Sequence, residues 1–221
     1  MSQIKVEQNL LKANDDIAQE LRKKYQENGV KVINMISSPG AGKTTLLEHS
    51  LEKIASKYKV GVIEGDILTS RDAERIEKLN VPVVQIETKG ACHLDARMIN
   101  KALEQLKLEE LDLIIIENVG NLVCPASFDL GEDAKVVVLS IAEGADKPAK
   151  YPSIFTKAKV CVLNKIDLLP YSNFSIDDFY ADVKKVNPKI ESFEIAATKD
   201  IGIDKWVDWL EGLIIDGGTI N

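Results

Sequence analysis

The sequence predicts a three-layer α/β fold built on a mainly parallel central sheet of about seven strands. Two observations predict it. Short apolar runs alternate with helix-length segments along the chain, the pattern of a parallel sheet covered by helices on both faces. A glycine-bearing turn joins the first such run to the helix after it, at the edge where a parallel sheet holds its ligands.

Residues 5–28 read as a helix, since Val6, Leu10, Ile17, Leu21 and Tyr25 recur at near-helical spacing and Gly29 ends the run. VKVINMIS (30–37) reads as a buried strand, SPGAG as a sharp turn and 43–58 as a helix. Strands follow at 60–65, 81–87, 111–118, 134–142, 159–167 and 189–196, with helices at 73–79, 94–107, 176–186 and 202–212. The stretch from Asp66 to Asp72 reads as a mobile connection with acidic edges. Crossovers between such strands are right-handed. No Gly/Ser/Pro-rich linker or internal repeat divides the chain. One domain over 30–221 is therefore expected. The amphipathic helix of 1–29 belongs to it, packing on the core or lying as an arm across a second copy.

The 221 residues carry 28 Lys and Arg against 35 Asp and Glu, a net charge of −7. That balance argues against general nucleic-acid binding and against an anionic membrane surface. No run approaches the roughly 20 apolar residues of a membrane helix. MSQIKVEQNL lacks the basic-then-apolar pattern of a secretory signal, and three cysteines without dense spacing read as free thiols of a cytoplasmic protein.

Ser37-Ser38-Pro39-Gly40-Ala41-Gly42-Lys43-Thr44-Thr45 follows a strand and opens a helix. Its end matches the phosphate-binding loop G-x-x-x-x-G-K-[ST], which makes the expected architecture a P-loop nucleoside triphosphatase. Gly40, Ala41 and Gly42 let successive N–H groups curl inward around phosphate, and the helix start adds favourable potential. Lys43 is expected to reach the β- and γ-phosphates, Thr44 to hold Mg²⁺, and Thr45 to continue the cradle. Ser37 stands where the pattern has its first glycine, a departure that puts a side chain at the opening turn.

Asn164-Lys165-Ile166-Asp167 ends a later strand, at the same edge of a parallel sheet. Asp167 can accept from N1–H and N2–H₂ of guanine. Adenine offers neither donor, leaving the carboxylate unpaired at a cost of about 1–3 kcal/mol. Asn164 can bond the opposite edge and tie loops together, while the Lys165 stem lies along the ring. The Ala197 N–H reads either as a partner for the guanine carbonyl or as part of an ordinary strand-to-helix loop. Residues 143–150 approach the nucleotide or a second subunit, or form a charged surface loop.

Asp66 follows a strand at the ligand edge and is expected to complete a Mg²⁺ shell or orient water. Asp72 reads equally as such a carboxylate or as an acidic group in a helix first turn. Glu117 ends LDLIIIE, where its burial would be costly without a role. We read it as a Mg²⁺-side carboxylate, with Gly120 turning a backbone N–H toward the γ-phosphate and the segment acting as a switch. No His or Gln stands out to orient water, so slow turnover without a partner or dimer is expected.

Cys92, His93 and Cys124 lie on loops that leave the same edge, a soft ligand set for Ni²⁺ or Zn²⁺. Three ligands underfill either geometry, and a two-fold dimer would correct the count. The same residues read alternatively as two apolar-like cysteines and a capping histidine. Cys161 reads as core and His49 as structural or solvated.

Taken together, SSPGAGKT (37–44), EGD (64–66), KGACHLD (89–95), ENVGNLVCP (117–125) and NKID (164–167) resemble the HypB family of hydrogenase nickel-incorporation GTPases, over about residues 30–211. The resemblance implies a metallochaperone of the signal-recognition/MinD-like (SIMIBI) GTPase class. It implies a GTP-promoted homodimer, the zinc-containing partner HypA and the hydrogenase large subunit as client. It also implies metal binding at Cys92, His93 and Cys124. Residues 1–30 hold no Cys or His, so no N-terminal metal-storage site is expected. Adjacent Cys92 and His93 differ from the Cys-Pro-His of the urease-serving sister family. Three alternatives stay open: a urease-type nickel GTPase, a regulatory GTPase without metal delivery, and a small-molecule kinase. The GTPase readings predict conversion of GTP to GDP and phosphate with no added acceptor, measured by phosphate release; a strict requirement for a metabolite acceptor indicates the kinase.

Overall fold

The computed structural model describes residues 3–66 and 71–215. Helix α1 (Gln3–Asn28) precedes β1 (Lys31–Ser37), α2 (Lys43–Ile54), β2 (Val60–Asp66), α3 (Arg71–Glu77), β3 (Val83–Glu87), α4 (Ala96–Leu103) and β4 (Leu113–Gly120). Then come β5 (Ala134–Ser140), α5 (Lys147–Lys150), α6 (Pro152–Lys157), β6 (Val160–Asn164), α7 (Ile176–Val186), β7 (Glu191–Ile195) and α8 (Ile203–Ile215).

The seven strands form one sheet in the order β3-β2-β4-β1-β5-β6-β7, and every neighbouring pair is parallel. Apolar side chains therefore leave both faces. Ile33, Met35, Val62, Ile115 and Val136 pack under α2, α3 and α8. On the opposite face Val32, Ile63, Ile114 and Ile116 meet α1 and α4, while Val137, Cys161 and Leu163 meet α6 and α7. This gives three layers, with all strand C-terminal ends at one edge. Burial pushes the Cys161 thiol up to about 12, so it stays protonated as a core residue.

Several boundaries differ from the sequence reading, each for a local reason. Helix α2 stops at Ile54 rather than 58, because the N–H groups of Lys57 and Tyr58 both turn back to the Ile54 carbonyl. Strand β3 starts at Val83, after Pro82, which has no N–H and gives only its carbonyl to Val62. Helix α4 covers 96–103 because Asp95 caps it, accepting from Met98 N at 2.8 Å. Strand β5 ends at Ser140, where Ser140 and Glu143 form a reciprocal capping box and turn the chain into a 3₁₀ turn. Residues 147–150 are helical rather than an open loop. Strand β6 stops at Asn164 because Lys165 adopts a left-handed φ of +61°. Asp66 closes β2, and the mobile connection expected before Asp72 falls on residues 67–70, outside the described residues.

Helix α1 lies on its own chain. Ala18, Leu21 and Tyr25 are buried against the sheet, and Arg22 pairs with Asp129 at 2.9 Å. Leu10, expected on the same apolar stripe, is instead 55% exposed, because it lies beyond the patch that the sheet and α4 cover. Among the described residues no helix is long and apolar enough to cross a membrane. Leu21→Ala is expected to lower unfolding free energy by about 2–5 kcal/mol through a buried void, and Leu10→Ala by no more than about 0.5 kcal/mol, both read from urea denaturation.

Candidate functional site

Strand β1 is central, so the loop after it opens at the middle of the ligand edge. Gly40 and Gly42 take left-handed φ values of +75° and +94°, curling the backbone over the start of α2. A Cβ on Gly42 would stand 2.6 Å from Asn164 Nδ2. Ser37 stays extended as the last residue of β1, so its side chain costs no strained turn. Its hydroxyl accepts from Lys43 Nζ at 2.8 Å and donates to the Ser38 carbonyl at 2.6 Å. The side chain at the glycine position thus parks the lysine ammonium.

A cavity of about 490 Å³ lies between this loop and the ends of β2 and β4. Lys43, Thr44, Thr45, Asp66, Arg75 and Glu117 are among its lining residues. Thr44 Oγ1 donates to Glu117 Oε1 at 2.8 Å, and Lys43 Nζ stands 4.0 Å from the same oxygen. Hydroxyl and carboxylates converging here form a hard oxygen donor set that fits Mg²⁺. A glycine cradle at a helix start fits phosphate. Glu117 is not a strand end as the sequence suggests: β4 continues to Gly120. Gly120 pairs with Ser37, and Pro39 packs so closely that a Cβ there would stand 3.0 Å from it. Asp72 lies in the first turn of α3, and its side chain is outside the described residues. Arg75 was not singled out from sequence. Its guanidinium holds Glu48 and reaches Thr45 Oγ1 at 3.2 Å, at the rim of the cavity.

Beside the loop, Asn164 behaves as a clasp. Nδ2 donates to the Ala41 carbonyl at 3.0 Å, and Oδ1 accepts from the N–H of Lys165 at 2.8 Å and of Ala197 at 3.3 Å. The Ala197 N–H therefore meets a side chain here. Lys165 Nζ donates to the Gly40 carbonyl at 2.7 Å, so its stem spans the loop. Asp167, in a 3₁₀ turn after β6, is half-buried and accepts no hydrogen bond among the described residues. The 143–150 segment borders that same turn through the 3₁₀ turn 141–143.

Cys92, His93 and Cys124 come together, each offering a ligand atom within 4.8 Å of the others. The two sulfurs are 2.8 Å apart and both thiols are free. Asn121 Nδ2 holds the Cys92 carbonyl at 3.2 Å, and the His93 ring stacks on Phe128 with centroids 3.8 Å apart. Two sulfurs and an imidazole fit a soft or borderline metal, one donor short of tetrahedral zinc. Partial burial lowers the His93 pKa, keeping the ring neutral and able to ligate. The hydrogen bond to Cys124, and then burial, raise the Cys92 thiol. A larger hollow, about 920 Å³, lies among Val60, Pro82 and Leu111 at the opposite ends of the strands and carries no such chemistry.

Sequence reasoning gave no role to Asn34, Asn118, Phe128 and Glu132; Phe128 stacks on His93, and the other three form a hydrogen-bonded chain leading from Leu94 N. The one available signal was an asparagine inside each of two apolar strands, where an unpaired amide costs about 1–3 kcal/mol.

The family model for the CobW/HypB/UreG nucleotide-binding domain matches residues 31–194. Hydrogenase maturation factor HypB of Escherichia coli is 48% identical over 208 residues, spanning 94% of this chain and 72% of that protein. The crystal structure of HypB from Helicobacter pylori in complex with nickel superposes with a TM-score of 0.88 at 38% identity, covering 95% of this chain and 99% of that one. HypB from Archaeoglobus fulgidus gives 0.86 at 36% identity, covering 91% and 98%.

With the Cys92 thiol raised, metal uptake near neutral pH must displace protons. Zn²⁺ binding is expected to release at least about one proton per ion and to weaken as pH falls, checked by calorimetry in buffers of different ionisation enthalpy.

Proposed function

This chain belongs to the CobW/HypB/UreG nucleotide-binding family, in its HypB branch of SIMIBI-class P-loop GTPases, and on that premise we propose that it couples GTP hydrolysis to nickel capture and delivery. The client is the large subunit of [NiFe] hydrogenase, reached with HypA in the cytoplasm. One observation carries the reading: a soft ligand trio and a phosphate cradle open at the same sheet edge, both bordered by the end of β4.

In this reading Lys43 leaves Ser37 for the β- and γ-phosphates, and the N–H groups from Gly40 to Thr45 cradle them. Thr44, Asp66 and Glu117 hold Mg²⁺, which supplies charge neutralisation between the phosphates. Asp72, singled out from the sequence, is the further candidate for orienting water. Asp167 accepts from guanine, while Asn164, Lys165 and Ala197 frame the base. Among the described residues that line the cavity none is a His or Gln, which supports slow intrinsic turnover.

Nickel is cargo here, held by Cys92, His93 and Cys124 with Zn²⁺ as a competitor. Cys124 is seven residues beyond Glu117 along the chain. A γ-phosphate sensed between Glu117 and Gly120 shifts the segment that bears one thiol. By linkage, metal then changes nucleotide affinity by the same factor. Three donors per chain underfill the metal, and a GTP-promoted two-fold dimer supplies the remainder.

Equilibrium Ni²⁺ binding, measured with GDP and with a non-hydrolysable GTP analogue, is expected to differ by about 5–150-fold. The analogue is expected to favour the dimer in sedimentation, with a changed metal count per chain. Cys92→Ala and Cys124→Ala are each expected to abolish tight binding. Equal affinities in the two nucleotide states would remove the coupling.

A further inference from the structure

We propose that Asn118 and Phe128 are positioning residues that clamp the ligand His93 to the two central strands carrying the nucleotide groups. The proposal rests on the reading of His93 as a metal ligand and deepens it.

Strand alternation supplies the starting geometry. Glu117 points to the face of the phosphate loop, where its carboxylate meets Thr44. Asn118, the next residue, leaves the opposite face. The β1–β4 register slips between the pairs Met35–Glu117 and Ser37–Gly120, so β4 carries one extra residue at 118–119. A bulge of this kind re-aims a side chain. Here it brings the buried Asn118 amide under the metal loop.

The Asn118 amide is used at both ends. Oδ1 accepts from Leu94 N at 3.1 Å and Val119 N at 3.0 Å, and Nδ2 donates to Asn34 Oδ1 at 3.1 Å. Two backbone donors fix which way the amide faces. The Leu94 N–H belongs to the peptide that follows His93, so one side of the ligand is tied to β4. Asn34, on β1, passes the path on through Nδ2 to Glu132 Oε1 at 3.3 Å. Glu132 is buried, accepts from Leu130 N at 2.6 Å and pairs with Lys135. Lys135 Nζ also donates to the Phe128 carbonyl at 2.7 Å. The Phe128 ring stacks on His93, with planes 26° apart.

The path therefore returns to the residue from which it set out. His93 is held by its following peptide and by its ring, and both holds lead to β1 and β4, which carry the phosphate loop and Glu117. Partners behind a metal ligand commonly change metal affinity by about 10–100-fold. A ring freed from Phe128 samples other rotamers and presents its nitrogen less often.

The test uses Ni²⁺ alone as probe on the full chain, reading affinity by chelator competition together with the Ni²⁺ absorption spectrum. Phe128 is half-buried, so Phe128→Leu is expected to fold, checked by circular dichroism. It is expected to weaken Ni²⁺ binding about tenfold and shift the absorption bands. Phe128→Tyr keeps the aromatic face and is expected to restore both. Asn118→Ser, its fold checked by circular dichroism, is expected to bring the Ni²⁺ affinities with GDP and with a GTP analogue toward one value, and a folded variant that keeps the wild-type difference would overturn the role of Asn118. Wild-type affinity and spectrum in Phe128→Leu would overturn the proposal, as would a Tyr variant no better than Leu. Ni²⁺ binding that keeps wild-type affinity and spectrum in His93→Ala would overturn the ligand reading instead, and this proposal with it.

Discussion

The parallel pairing of β1 with β4 is the constraint on which the rest of the molecule depends. It places Ser37 and Gly120 side by side at the sheet edge, and with them the phosphate loop and the segment leading to Cys124. Glu117 reaches Thr44 only because these two strands are neighbours. One strand thereby serves two kinds of chemistry, since successive residues leave opposite faces. Oxygen donors gather on one side and the support of a sulfur–nitrogen cluster on the other.

Burying polar groups at such a seam carries a cost that decides the local design. An unsatisfied buried amide or carboxylate costs on the order of 1–3 kcal/mol, comparable with the gain from burying one aliphatic side chain, about 1.5–3 kcal/mol. The chain holds Asn34, Asn118 and Glu132 almost completely buried, and each finds hydrogen-bond partners. Such a network adds little net stability. It does specify one arrangement, because replacing one member leaves several others unmet. The buried Glu132–Lys135 pair follows the same logic: losing one partner would leave a charge without compensation.

The same economy links the loops near the nucleotide. Asn164 joins β6, the phosphate loop and the turn at Ala197 through one amide. Lys165 reaches back to Gly40, and Thr88 N bonds the Asp66 carbonyl, tying the loop that leads to Cys92 to the end of β2. Ligand loops rooted in strand ends move with those ends. In the proposed coupling, a change at the phosphates would reach the thiols as a shift of packed elements rather than a message along a flexible chain.

The sequence by itself determined the layer architecture, the phosphate loop, the placing of Asn164 to Asp167 after a strand at the same sheet edge, and the adjacency of Cys92 and His93. These are local properties, carried by periodicity and by residues within a few positions of one another. The association of Cys124 with them followed from both loops leaving strand ends of one parallel sheet. Boundaries were less legible, because Pro82, the Asp95 cap and the Ser140–Glu143 box outweigh the apolar pattern around them. The exposure of Leu10 was not legible at all, since a helical stripe does not say how far its covering surface extends. Only the tertiary structure decided that β4 runs past Glu117 with a bulge, that Ser37 holds the lysine, and that Asn118 and Phe128 flank His93. Their partners are 24 residues apart for Leu94 and Asn118, and 84 for Asn34 and Asn118. No local rule relates such positions, because hydrogen bonds and ring stacking depend on distance in space, and sheet order alone brings these strands together.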